Sequence, residues 1–171
     1  MWYKKGRDLD RNGFYEEAVK AYDRAIELEP SNATFYISKA SGLNMLAILT
    51  NNQSKFNESL QAIDKALEID PKNPRAWELK GNALSQMKRF NESLEAYESG
   101  IQNIGLHKGE LSQTEELSGL WLGKGAVLSL WAGSIKDGQV WSLKADALKA
   151  LGKSAEAQAA YARAKGLGYN G

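Results

Sequence analysis

The sequence predicts an all-α protein built from stacked helical hairpins, and three observations support this. Apolar residues recur at three- and four-residue steps along most of the 171 residues, which is the spacing of one face of an α-helix. Alternating runs of Val, Ile and Thr are missing and the chain has only 3 Pro, so a strand-rich fold has little to build from. Imperfect copies of the stretch from Ala76 to Gly105 lie before and after it in the sequence, which indicates an internal repeat.

The template of the repeat is the stretch from Ala76 to Gly105. Its apolar positions form two runs of helical spacing, one with Trp77, Gly81 and Leu84, the other with Phe90, Leu94, Tyr97 and Ile101. Residues 87–89 between the runs have room only for a turn, so the two helices fold back against each other. One hairpin leaves an apolar face open, and stacked copies cover it.

The first copy places Trp2 and Gly6 where the template has Trp77 and Gly81. An Asn-Gly pair favours a left-handed turn after its first helix, and a Glu-Pro pair stops its second. The predicted helices run from about Trp2 to Arg11 and from Phe14 to Leu28.

The second copy begins at the capping pair Ser31-Asn32 and carries an insertion. Pro30 and Pro71 are 41 positions apart, against 34 positions from Pro71 to Gly105. The seven extra residues amount to two helical turns, which keep the apolar face nearly in register. We therefore expect the first helix of this copy to protrude through about Leu49 and to close at residues 50–52.

These positions resemble the tetratricopeptide repeat (TPR) family, whose helix-turn-helix unit has a similar pattern of Trp, Gly, Tyr, Ala and Phe. The matching residues in the template are Trp77, Lys80, Gly81, Leu84, Phe90, Ser93, Tyr97, Gly100 and Gly105. A last copy has Trp141, Ala145, Ala157, Tyr161 and Ala164, with Gly152 at its turn. The resemblance implies a right-handed α-solenoid of about nine helices in one domain, with repeats at about 1–32, 33–73, 74–105 and 138–171.

Residues 106–137 depart from the repeat pattern. We expect one long non-repeat helix over about Ser112 to Ala132, in which Trp121 and Gly125 imitate a first helix that has no second helix after it. Its apolar run is too short to span a bilayer. A helix that is apolar on most of its circumference is either buried on all sides or exposes an interface. The second case would give an assembly subunit that self-associates through Leu117 to Ile135, with Leu122, Leu130 and Trp131 as contact residues. An open end of the solenoid is the other surface through which it could self-associate.

Composition argues against several other classes of function. The 22 basic and 21 acidic residues balance, which removes the electrostatic footprint of a nucleic-acid or membrane binder. The chain has no cysteine, and its first residues do not form the apolar run of a secretory signal, so we expect a cytoplasmic location. The single histidine, His107, lies in a polar connector. We therefore expect no catalytic, metal or cofactor site.

Tryptophan recurs at one position of the repeat. Trp2, Trp77, Trp121 and Trp141 stand where the first helix packs on its partner, so we expect these four side chains in the core. Gly6, Gly81 and Gly125 stand four residues later and let a neighbouring helix approach closely.

The resemblance also implies where a partner binds, because partner peptides lie in the concave groove of this family, lined by first-helix residues that do not pack internally. Carried over, that face shows Tyr3, Arg7, Arg11, Ile37, Ser41, Asn44, Arg75, Glu78, Asn82 and Gln86, with Met45 beside them. Polar side chains along a concave surface suit a peptide better than a small substrate. The predicted function is a non-enzymatic scaffold for a protein or peptide partner.

One subclass of the family grips the C-terminal carboxylate of chaperones with Lys, Asn and Arg side chains. The matching positions in this sequence are Tyr3, Arg7, Ser38, Arg75 and Leu79. At most two of these five are basic, so we expect no capture of chaperone tails.

Overall fold

The computed structural model describes residues 1–105, 120, 123–128, 130, 138–150 and 152–169. The described part is helical throughout, with short turns and no strand. Eight helices have both ends described: α1 Trp2–Arg11, α2 Tyr15–Leu28, α3 Ala33–Thr50, α4 Gln53–Ile69, α5 Pro74–Gln86, α6 Phe90–Gly105, α7 Gly138–Ala150 and α8 Ser154–Gly166. Residues 123–128 form a further helical segment.

Short turns join consecutive helices into antiparallel hairpins. Gly13 and Gly152 adopt φ angles of 80° and 74° between the helices of the first and last hairpins, where glycine has no steric penalty. Asn32, as predicted, caps α3 by accepting a hydrogen bond from the Thr34 amide at 3.2 Å. Asn52 and Asn73 cap α4 and α5 in the same way.

The hairpins stack so that first helices and second helices lie in separate layers. α3 contacts both α1 and α5, whereas α2 and α4 have no such contact with each other. The first helices therefore stand closer together than the second helices, and their side of the stack is the concave side. None of the helices in the described ranges is long and apolar enough to cross a membrane.

Within a hairpin the two helices meet at small residues, as the sequence predicts for Gly6 and Gly81. A Cβ atom at Gly81 would lie 2.5 Å from the Tyr97 ring, and one at Gly6 would lie 2.6 Å from the Tyr22 ring. Beside this contact, the Ser93 hydroxyl donates a hydrogen bond of 2.7 Å to the Gly81 carbonyl. A buried tyrosine and a buried serine thus fix how close the two helices of the third hairpin come.

The seven-residue insertion lengthens both helices of the second hairpin, not only the first. α3 continues to Thr50 and closes at Asn51, which adopts a left-handed φ of 49°. α4 begins at Gln53, three residues before Phe56, the counterpart of the residues that begin α2 and α6. The prediction of a longer α3 is confirmed, but the matching extension of α4 was missed. The hairpin protrudes as a pair because a second helix covers the apolar side of the first.

Trp2 is not a core residue, contrary to the prediction. Its side chain is 39% exposed, whereas Trp77 and Trp141 at the same repeat position are half-buried. The Trp77 indole donates a hydrogen bond of 2.8 Å to the Pro71 carbonyl of the preceding connection. No described helix covers α1 on that side, so Trp2 remains open to solvent.

The predicted self-association surface is only partly described. Leu130 is 61% exposed, as an interface residue requires. Leu122, Trp131, Trp121 and His107 lie outside the described residues, as does most of the predicted helix from Ser112 to Ala132. Self-association through this helix therefore stays a prediction.

The glycine contact gives a direct test of the packing. Gly81→Ala should lower the free energy of unfolding by about 1–3 kcal/mol, because the new methyl group must displace the Tyr97 ring. Gly166→Ala is the matched control, since no atom lies within 4 Å of its Cβ position and Ala favours a helix by up to about 1 kcal/mol. Urea unfolding of both variants measures the difference. Equal stabilities would contradict the packing described here.

Candidate functional site

A cleft of about 240 Å³ opens on the concave side between α3 and α5. Five of the ten predicted groove residues line it, namely Ser41, Asn44, Arg75, Asn82 and Gln86. Five further residues complete the wall: Met45, Ile48, Phe56, Leu79 and Ala83. The volume is below the roughly 300–1,000 Å³ of pockets that enclose drug-sized ligands. It suits a single side chain of a larger partner.

The floor of the cleft is apolar and its rim adds further apolar surface. Phe56, Leu79 and Ala83 are buried beneath the opening. Met45 and Ile48 are 36% and 50% exposed; Met45 corresponds to Gln86 at the end of α5, and Ile48 stands on the extended part of α3. The insertion therefore raises an apolar wall beside the cleft, and burying such a wall favours binding of an aliphatic side chain.

Asn44 supplies an unsatisfied acceptor inside this cleft. Its side chain is 7% exposed, and the Oδ1 atom is buried without a hydrogen-bond partner among the described residues. A buried acceptor left unpaired lowers stability by about 1–3 kcal/mol. The atom is closed to solvent, so an amide proton from a bound partner would reach it only after the Asn44 side chain rotates toward the opening.

Asn82 faces the cleft with an oriented side chain. The Tyr97 hydroxyl donates a hydrogen bond of 2.7 Å to Asn82 Oδ1. Burial raises the pKa of Tyr97 well above its usual value, so the phenol remains a donor at any physiological pH. With its oxygen held in this way, the Asn82 amide group is left to donate toward a ligand carbonyl.

Arg75 provides the positive charge at the edge of the cleft. Its guanidinium lies 2.9 Å from the Glu78 carboxylate, in an exposed pair one helical turn apart. Such surface pairs contribute at most about 1 kcal/mol. A carboxylate on a partner can therefore compete for Arg75 with little loss of stability.

The other predicted groove residues lie outside the cleft. Tyr3 stacks on Phe35 with ring centroids 4.8 Å apart, and Arg7 lies over the Tyr3 ring. Arg11 is 4.0 Å from Asp8, and Ile37 packs against the core between α4 and α5. Tyr3 and Ile37 are half-buried, whereas Arg7 and Arg11 are exposed on α1.

Sequence reasoning missed Ile48, Phe56, Leu79 and Ala83. Ile48 belongs to the insertion, and the seven extra residues were a signal that the groove is deeper there. Leu79 and Ala83 occupy core positions of the repeat, and only the geometry shows that they also form a floor.

The positions of the chaperone-tail clamp do not form a carboxylate site. Leu79 is 5% exposed, and the Ser38 hydroxyl donates to the Tyr3 hydroxyl at 3.4 Å. This arrangement agrees with the expectation that chaperone tails are not captured, which stays a prediction. Among the described residues, no cluster of three or more His, Asp or Glu side chains is placed to hold a metal ion.

Family models match three parts of the chain. A model described as TPR repeat matches residues 6–40, and two models described as tetratricopeptide repeat match residues 62–95 and 138–167. The chain is a tetratricopeptide repeat protein, and proteins with this fold serve as scaffolds for protein–protein interaction. A search of curated proteins gives no match.

Solved structures with a similar fold include tetratricopeptide repeat domains with bound partners. The TPR domain of Arabidopsis OM64 is 22% identical, with a TM-score of 0.60, covering 75% of this chain and 92% of that chain. PcrH in complex with the chaperone binding region of PopD is 13% identical, with a TM-score of 0.64 and coverage of 75% and 89%. The first TPR of Spaghetti (RPAP3), bound to the HSP90 peptide SRMEEVD, is 21% identical, with a TM-score of 0.53 and coverage of 70% and 86%. At these identities the likeness shows the fold.

The unpaired Asn44 oxygen predicts that replacing Asn44 raises the stability of the free protein, although it weakens binding. Asn44→Leu should raise the free energy of unfolding by about 1 kcal/mol, because it removes an unpaired buried acceptor. Ser59→Ala is the control and should lower it by about 1 kcal/mol, since the Ser59 hydroxyl donates to the Ala40 carbonyl at 3.0 Å. Thermal unfolding distinguishes the two. A loss of stability in Asn44→Leu equal to that in Ser59→Ala would contradict the unsatisfied state of Asn44.

Proposed function

We propose that this protein holds an extended peptide segment of a partner protein in the cleft between α3 and α5. The observation that carries the proposal is Asn44, a buried hydrogen-bond acceptor that has no partner in the described part of the chain and stands on the wall of a cleft with an apolar floor. Native proteins rarely leave such a group unpaired, and a ligand is one of the reasons that they do.

The cleft defines the chemistry of the peptide. An aliphatic side chain enters between Met45 and Leu79, where it is removed from water. The Asn44 side chain rotates toward the opening, and the backbone N–H beside the bound side chain then donates to its Oδ1 atom. A backbone carbonyl of the peptide accepts from Asn82. An acidic residue further along the peptide pairs with Arg75 at the rim. This order of contacts gives the peptide an apolar anchor and fixes the direction in which its backbone runs along the cleft.

Two of the similar structures support the proposal by analogy. PcrH is seen with a region of PopD, and the RPAP3 domain with an HSP90 peptide. Those partners belong to those proteins, and only two of the five carboxylate-clamp positions, Arg7 and Arg75, are basic in this sequence. The present cleft favours an internal segment with an aliphatic anchor over a free C-terminus.

Selection of peptides by the whole protein tests the proposal and reveals the preferred sequence. Peptides are selected from a random display library, and their affinities are then measured by calorimetry. Asn44→Leu should weaken binding by roughly 5- to 150-fold, the equivalent of about 1–3 kcal/mol for a lost buried hydrogen bond. Arg75→Ala should weaken only peptides with an acidic residue.

The control is Lys65→Ala, on the outer face of α4. This variant should bind every selected peptide as the wild type does. If the selected peptides bind Asn44→Leu and the wild type equally, or if they respond to Lys65→Ala instead, the cleft between α3 and α5 is not the binding site.

A further inference from the structure

The stack contains a repeated ion pair between successive hairpins. Lys39 on α3 meets Asp23 on α2 at 2.5 Å, and Lys80 on α5 meets Asp64 on α4 at 2.8 Å. In each case the lysine directly precedes the small residue of a first helix, and the acid stands on the second helix of the preceding hairpin. The pairs are therefore equivalent positions of the repeat.

The same pair joins α6 to the helical segment 123–128. Lys124 lies 2.8 Å from Glu98, and its side chain is only 8% exposed. Lys124 directly precedes Gly125, as Lys80 precedes Gly81. The segment thus stands in the place of a first helix, and the register of the ion pair continues beyond the third hairpin.

Each acid is flanked by two aliphatic residues on the face that its helix turns toward the next hairpin. The spacing is an aliphatic residue, the acid four positions later, and a second aliphatic residue three positions after that. The three sets are Val19, Asp23 and Ile26; Leu60, Asp64 and Leu67; Leu94, Glu98 and Ile101. The flanking residues make contact across each junction. At the first junction Val19 lies against Gly42, and at the second Leu60 and Leu67 belong to the cluster that includes Trp77. At the third, Leu94 and Ile101 pack against the cluster that contains Leu120.

On α1 the receiving half of this junction is present, and no helix in the described ranges covers it. Lys5 stands at the lysine position, over the Trp2 ring at 5.0 Å, and has no acidic partner among the described residues. Leu9 is half-buried, whereas its equivalents Leu43 and Leu84 are buried. A cleft of about 600 Å³ runs along Trp2, Lys5 and Leu9, against about 390 Å³ for the equivalent cleft beside Trp77, where Leu60 and Asp64 form part of the wall.

We propose that the α1 face binds an amphipathic helix of a partner protein that carries an aliphatic residue, an acid four positions later and an aliphatic residue three positions after the acid. The acid pairs with Lys5, and the aliphatic residues cover Trp2 and Leu9. Three junctions in the same molecule show that this combination of charge and apolar surface covers the equivalent face of a first helix.

A second copy of this chain does not offer that pattern at its other end. On α8 the three equivalent positions are Gln158, Ala162 and Lys165, all of them exposed. They provide no acid, no aliphatic pair, and one positive charge that would oppose Lys5. Head-to-tail stacking of copies through α8 therefore lacks the charge complementarity of the internal junctions.

A charge exchange tests the proposal with the whole protein. The probe is a fluorescent peptide with the α4 sequence from Gln53 to Ile69, and its binding is followed by anisotropy. An Asp64→Lys peptide should bind roughly tenfold more weakly, as should the original peptide to Lys5→Glu protein. The reversed peptide should regain its affinity for Lys5→Glu. Binding that ignores both reversals, or no binding of the original peptide, would overturn the proposal.

Because a free peptide of this length is a marginal helix, a second measurement uses a fusion. A copy of residues 53–76 is placed directly before Trp2, which reproduces the connection that precedes Trp77. The fusion should raise Tm above that of the unmodified chain, and Asp64→Lys in the added copy should remove most of the gain.

Light scattering of the unmodified chain provides the last check, since a dimer dissociated by Lys5→Glu would identify a second copy as the occupant and overturn the proposal.

Discussion

The close contact between a buried tyrosine and a glycine in the first and third hairpins sets the geometry on which the rest of the structure depends. The Tyr97 ring occupies the space that a side chain at Gly81 would need, and the Ser93 hydroxyl bonds the carbonyl of the same residue. Together they bring the two helices close and fix their rotation. Because that rotation decides which residues of a first helix face outward, Asn82 reaches the concave side and Lys80 reaches the junction with the preceding hairpin.

The insertion in the second hairpin adds an apolar wall to the cleft that we propose as the binding site. Without it, the concave side between α3 and α5 would lack the wall formed by Ile48 and the extended end of α3. With it, the cleft gains apolar depth beside Asn44, whose unpaired oxygen lowers the stability of the free protein. Binding sites commonly combine a group that lowers the stability of the free protein with exposed apolar side chains beside it.

Much of this fold follows from the sequence because the repeat pattern constrains local structure strongly. The ends of α1, the cap at Asn32 and the protrusion of α3 were predicted from spacing, caps and the count between prolines. The sequence did not predict that Trp2 is exposed. A repeat position predicts burial only when the helix that covers that position is also there, and no described helix covers α1 on the Trp2 side. It also did not predict that Asn44 lacks a partner or that Leu79 forms a floor, since both depend on distances between separate helices.

The central claim is that a peptide binds along α3 and α5 with Asn44 as its buried contact. Side-chain amide NMR of the protein with a selected peptide measures this most directly. The account predicts that the Asn44 and Asn82 side-chain amide signals shift, together with backbone signals of residues 41–48 and 75–86, while those of α2 stay in place. Shifts confined to α2 and the outer face of α4, with the Asn44 signal unchanged, would contradict it.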